Sequence, residues 1–129
     1  MAGINGISDG DVINALRRQM TIAAARQAAS AGNLANVDTP NYKAVDVSFA
    51  DTFDAAQVAT NPRHFGSMTT AGQVHTEVAQ DAPARRDGNT VVLDQELLKM
   101  SRAAGDFSAA QTALAAKFRL VRYAINEGR

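Results

Sequence analysis

Residues 30 to 44 read Ser30-Ala-Gly-Asn-Leu-Ala-Asn-Val-Asp-Thr-Pro-Asn-Tyr-Lys-Ala44, and this stretch decides how the 129-residue chain is laid out. An alanine-rich helical pattern runs into it, and a strand-and-turn pattern runs out of it. Asn36 suits the left-handed residue that ends many helices, and Pro40 disfavours helical geometry at Thr39. The chain is therefore expected to turn here.

Upstream, Ser8, Asp9 and Asp11 supply cap candidates and negative charge at a helix start, and Val12, Ile13, Leu16 and Met20 follow at helical spacing. The pattern predicts a helix from about Asp9 to about Asn36. In its second half Ala23, Ala24, Ala25, Ala28, Ala29, Ala31 and Ala35 cover nearly every face. Alanine favours helix and hides little area. This half is either an ordinary surface helix or a segment packed closely among several copies of the chain.

Downstream, Val45, Val47 and Phe49 alternate with Asp46 and Ser48, the period of a short half-buried strand. Turn signals then follow at Asn61-Pro62, Ala71-Gly72, Pro83 and Asp87-Gly88-Asn89. Between them the pattern allows one or two helical turns near Phe53 to Val58 and short strands at Gln73 to Val78 and Thr90 to Leu93. So long a punctuated stretch points to contacts with other chains.

From Asp94, read as a cap, the pattern is helical to about Asn126. Leu93, Leu97, Met100, Ala104, Phe107, Leu114, Phe118, Val121 and Ile125 recur at alternating spacings of four and three, the mark of a helix-packing seam. Gln111 is the one polar residue in that register; it either fixes the pairing or faces solvent. Gly105 weakens the middle by about 1 kcal/mol relative to alanine. Arg119 and Arg122 complement the dipole at the end. The two helices would be ~40 and ~50 Å long.

These parts predict a mainly α fold: two long terminal helices in an antiparallel, coiled-coil-like hairpin with an irregular loop and short-strand insert. Residues 1–40 and 93–129 form the paired helices, and 41–92 the insert that contacts neighbouring subunits. Two helices make a poor core, and with five Phe, two Tyr and no Trp the large apolar anchors are few. The expectation is a marginal monomer that orders in an oligomer, and a head-to-tail interface that does not close would give a helical filament or tube.

Composition narrows the function. Thirteen basic and thirteen acidic residues cancel, which gives no support for nucleic-acid binding or for an anionic membrane surface. No cysteine is present, so disulfides, thiol nucleophiles and thiolate metal sites are excluded. The N-terminal residues do not read as a secretory signal peptide, and no segment has the ~20 apolar residues of a membrane span. Nucleophile-elbow, phosphate-loop, dinucleotide and zinc-helix patterns are all missing. His64 and His75 read as solvated or interface residues, and Arg85-Arg86, beside Asp81 and Asp87, as a solvated turn. No catalytic residue, metal ligand or cofactor site is expected, and the chain does not read as an enzyme.

The string at 30–44 is similar to a short motif of flagellar axial proteins, the rod and hook components of the bacterial flagellum. The matching positions are Asn33, Leu34, Ala35, Asn36, Thr39, Pro40, Tyr42, Lys43 and Ala44. A second string, Asp87 to Leu97, resembles the segment leading into the C-terminal helix of proximal rod proteins of this family. Two positions depart from the pattern: Asn41 stands where glycine is usual before the tyrosine, and asparagine tolerates left-handed geometry; Val92 stands where an acidic residue is usual. The resemblance implies a structural subunit of the basal body, building the proximal rod that connects the inner-membrane ring and export gate to the distal rod. It also implies type III export without a cleaved signal peptide. The implied partners are other copies of the chain, other rod proteins, the rod-base adaptor, the inner-membrane ring and the export gate. Phe49 and Phe53 resemble a short export-gate motif, or pack together one helical turn apart. The other reading is a soluble coiled-coil adaptor or chaperone of the export system, but such a module has no need of the residues at 33–44.

Overall fold

In the computed structural model, residues 8–48, 75–80 and 82–127 are described. Helix α1 spans Asp9–Ala35, strand β1 Val45–Ser48, strand β2 His75–Val78 and helix α2 Leu93–Glu127. Phe49, Phe53, His64 and the turns expected between residues 50 and 74 lie outside the described residues.

Helix α1 starts where its sequence prescribes. Ser8 is the N-cap: its hydroxyl accepts from Asp11 N, and the Asp11 carboxylate accepts from Ser8 N at 2.9 Å and from Ser8 Oγ at 2.7 Å. These bonds form a capping box. The helix ends differently from expectation. Asn36 has φ −108°, so it is not left-handed. Its side-chain Nδ2 donates to Gly32 O at 2.9 Å, which continues the helical pattern by one bond after the backbone has departed. Tight turns follow, with Val37 N donating to Leu34 O, Thr39 N to Asn36 O and Tyr42 N to Thr39 O. The left-handed residue is Asn41, at φ 60°.

The two strands form an antiparallel ribbon with Val45 opposite Val78 and Ser48 opposite His75. Thr90 to Leu93 is not a strand. Thr90 N donates to Tyr42 O at 3.0 Å, but side chains take the other groups that a ladder would use. Asn89 Oδ1 accepts from Val91 N at 2.7 Å, and Thr90 Oγ1 accepts from Ala44 N at 2.8 Å. Helix α2 therefore begins at Leu93, with Val92 O accepting from Glu96 N, and Asp94 sits in the first turn rather than at the cap.

The helices pair antiparallel. Lys117 Nζ meets Asp9 Oδ1 at 2.6 Å at one end, Leu16 shares a recess with Ala110, and Met20 shares one with Phe107 and Leu114. Towards the other end Ser30 and Arg26 line a cavity with Lys99 and Ala103. Buried positions recur seven apart, at Ala23 and Ser30 on α1 and at Glu96, Ala103 and Ala110 on α2. Apart from Glu96 these are small side chains, and such a heptad contact permits close approach of the two backbones. Among the described residues the buried apolar side chains are Ala23, Ala44, Val47, Val91, Ala103 and Ala110, so the core they form is thin and its largest members are valines. Among the described residues no helix is long and apolar enough to cross a membrane.

Candidate assembly surface

The end of α1, the start of β1 and the segment before α2 are tied into one polar knot. Asn33 is completely buried. Its Nδ2 donates to Val45 O at 2.8 Å, and its Oδ1 accepts from Val45 N at 2.9 Å and from the Tyr42 hydroxyl at 3.2 Å. The amide thus fills both backbone groups of Val45 as a neighbouring strand would. Asn89, also completely buried, shares its two Nδ2 hydrogens among Asn36 O, Val37 O and Thr39 O at 2.9, 3.1 and 2.9 Å. These carbonyls lie at the end of α1, where helical partners run out. A residue 53 positions away in sequence therefore caps α1.

Around this centre Thr39 Oγ1 donates to Asn36 Oδ1, Lys43 Nζ to Gly88 O at 3.0 Å, and Asn41 N to Asp87 O at 2.9 Å. Arg85 is exposed, yet its guanidinium donates to Val37 O, so it is a strut of the knot rather than a purely solvated residue. Leu34 is half-buried, and Ala35 and Pro40 are exposed.

Next to the knot, Glu96 is only 2% exposed. Its Oε1 accepts from Lys99 Nζ at 3.3 Å, and Lys99 also reaches Asp46 Oδ2 at 3.2 Å, which links α2 to β1. Burial pulls the Lys99 ammonium down, but the hydrogen bond to Asp46 and the charges of Glu96 and Asp46 together outweigh it and raise its pKa above the ordinary lysine value. Glu96 Oε2 is buried without a hydrogen-bond partner.

The expected helix-packing stripe divides between two faces. Met100, Phe107, Leu114 and Val121 are half-buried. The alternate members face outward: Leu97 and Phe118 are each 49% exposed, Ile125 is 65% exposed, and Ala104 and Gln111 are exposed. Ala103 and Ala110, one residue from the expected Ala104 and Gln111, are the buried ones. The physical reason is that α1 offers alanines, which fit other alanines closely, so Leu97 and Phe118 remain outside. With Leu93, Leu98, Leu120 and Tyr123 they leave α2 with an extensive exposed apolar surface.

Comparison with known proteins bears on this surface. No family model matches the chain. Two curated proteins do, both named flagellar basal body rod protein FlgB. The one from Bacillus subtilis (strain 168) is 26% identical over 122 residues, covering 91% of this chain and 95% of its own. The chain is a homologue of flagellar basal body rod proteins. The second, from Aeromonas hydrophila, is 32% identical over 88 residues, covering 60% of this chain and 64% of its own.

The first rod-protein alignment spans nearly the full length of both chains, so the two helices and the insert fall within it together. The likeness is thus to proteins named for the rod of the flagellar basal body. Of the positions at which the sequence resembles axial proteins, Asn33, Asn36, Thr39, Tyr42 and Lys43 all lie in the knot. The sequence marks Asn89 as part of a turn and Thr90 as the start of a short strand, and gives neither a role at the end of α1 or the start of β1. The burial of Glu96 has no signal in the sequence. Among the described residues no group of three metal-ligating side chains comes together.

Proposed function

We propose that the chain is a structural subunit of the proximal rod, joining the inner-membrane ring and export gate to the distal rod of the flagellar basal body. The observation that carries this is the exposed apolar surface of α2 on a homologue of rod proteins. A helix with Leu97, Leu98, Phe118, Leu120 and Ile125 uncovered has a place in an assembly in which neighbours cover it. In this reading residues 1–40 and 93–129 build the rod core, and residues 41–92 touch adjoining subunits. Its partners are other copies, other rod proteins, the rod-base adaptor, the inner-membrane ring and the export gate. The chain reaches the periplasmic rod through the type III apparatus without a cleaved signal, and Phe49 and Phe53 serve export-gate recognition. The role is not catalytic.

The knot sets the direction in which the insert leaves the helices, and Asn33, Asn36, Thr39, Pro40, Tyr42 and Lys43 are the hinge of this arrangement. The test is Phe118→Asp in the parent bacterium. Phe118 is half-exposed, so the helix pair is expected to remain folded while the variant fails to restore swimming to a strain lacking the wild-type gene. Swimming restored to the wild-type level would refute a packed role for this face.

A further inference from the structure

The outer edges of β1 and β2 are finished in opposite ways. Ala79 N donates to Ala44 O at 2.8 Å, so with the observed register the pairs Asp46/Glu77 and Ser48/His75 are hydrogen-bonded ones. The backbone groups of Val45 and Val47 on β1, and of Thr76 and Val78 on β2, then point away from the ribbon. On β1 three of these four groups are occupied. The Asn33 amide takes Val45 N and O, and Val47 N donates to Asp46 Oδ1 at 2.9 Å. On β2 no hydrogen bond among the described residues reaches the outward N–H and C=O of Thr76 and Val78, and all four strand residues are exposed. Exposed strand edges are templates for pairing and are commonly blocked. Side chains thus bond most of one edge, and among the described residues no hydrogen bond reaches the other.

The charge pattern is equally one-sided. Asp46 and Glu77 face each other directly across the ribbon, and like charges so placed repel. Lys99 reaches Asp46, and among the described residues no cation pairs with Glu77. We propose that the outer edge of β2 is a docking edge, completed by an extended segment of another subunit that adds a strand beside Thr76 and Val78 and places a lysine or arginine against Glu77. Main-chain bonds supply the hold and the cation supplies the register. That the donor is a neighbouring subunit rests on the rod function proposed above. Four residues offer two donors and two acceptors, a weak contact alone that becomes effective when it is repeated in an assembly.

Proline supplies the test, since it removes an outward N–H at position 76 or 78 and leaves the ladder bonds of Glu77 and His75 in place. Thr76→Pro and Val78→Pro are expected to keep the circular dichroism and melting of the wild-type chain while falling at least tenfold in isolated basal bodies. Glu77→Lys is expected to do the same. Wild-type incorporation of the proline variants overturns the docking edge. If the prolines alter the fold, the exposed Glu77→Lys decides alone, and its wild-type incorporation overturns the proposal. Hydrogen exchange of the free chain adds a second reading: slow exchange at Thr76 and Val78 means that the chain covers its own edge, which also overturns it. Deletion of the gene separates the two readings. Undiminished swimming in the deletion strain removes the rod function and the docking edge together, whereas a swimming defect rescued by the edge variants removes the docking edge alone.

Discussion

Gly88 and Asn41 face each other in left-handed conformations, at φ 79° and 60°, and a Cβ on Gly88 would run into the Asn41 side chain while standing 3.5 Å from its Cα. Two sharp turns from distant parts of the chain are thus nested, held by the bond from Asn41 N to Asp87 O. Gly88→Ala should lose the glycine conformation, about 1–2 kcal/mol, and add a steric conflict. Denaturant unfolding should show the midpoint falling well below that of Asn41→Gly, which keeps its backbone geometry and should change stability by no more than about 0.5 kcal/mol.

Asn33→Leu should be among the most destabilising single changes in the chain. It removes both partners of Val45 and the acceptor of Tyr42 at a position where the asparagine itself is fully buried and its partners are half-buried. Each unsatisfied buried backbone group costs about 1–3 kcal/mol. Tyr42→Phe removes only a hydroxyl from the same cluster and should cost about 1 kcal/mol, so the ratio of the two, measured by chemical unfolding, checks the geometry.

The register of the helix pair is open to a direct comparison. Ala103→Leu and Ala110→Leu insert bulk into buried positions and should each cost about 1–3 kcal/mol. Ala104→Leu and Gln111→Leu, one residue further on, lie at exposed positions and should leave the melting temperature of the monomer within a few degrees of wild type. The opposite ranking would restore the stripe running through Leu97, Ala104, Gln111 and Phe118.

Much of this fold is written in local patterns. Ser8 and Asp11 mark the start of α1, and the capping box matches them; the alternation from Val45 marks β1; the long helical period marks α2 to within one residue at its start. What failed was choice among faces. Hydrophobicity alone favours the stripe with Leu97 and Phe118, but in a two-helix pair the contact goes to whichever face fits alanines on the partner, and that depends on a second helix sixty residues away. The knot was half legible. Asn36 and Pro40 announced a break, whereas the asparagine that caps it, Asn89, is brought there only by tertiary structure. The left-handed turn expected at Asn36 occurs at Asn41; Asn36 keeps a negative φ, with its side chain bonded back to Gly32.

Gly105 lies within α2, and a Cβ built there meets nothing within 4 Å. Gly105→Ala should therefore stabilise the helix by about 1 kcal/mol, visible as a higher melting temperature.

The start of α1 should weaken in acid. Hydrogen bonds from the Ser8 side chain and backbone lower the Asp11 carboxyl below its ordinary value of 3.8. A depressed folded pKa contributes stability that is present above the ordinary value and is lost as pH falls through the folded one. Helix content followed by circular dichroism from pH 5 downward should decline more in the wild type than in Asp11→Asn, whose cap has no proton to gain.

The knot also fixes when the molecule can fold. Asn89 reaches back 53 residues to close α1, and Lys117 reaches back 108 to Asp9. A chain emerging N-terminus first, from a ribosome or through any narrow passage, presents α1 long before either clasp exists. A lone 27-residue helix with a mean of small side chains gains little until its partner arrives. Contacts of such long sequence separation place folding late and make it concerted. The chain stays threadable until its last quarter is free, and then the turn, the ribbon and both helices close together.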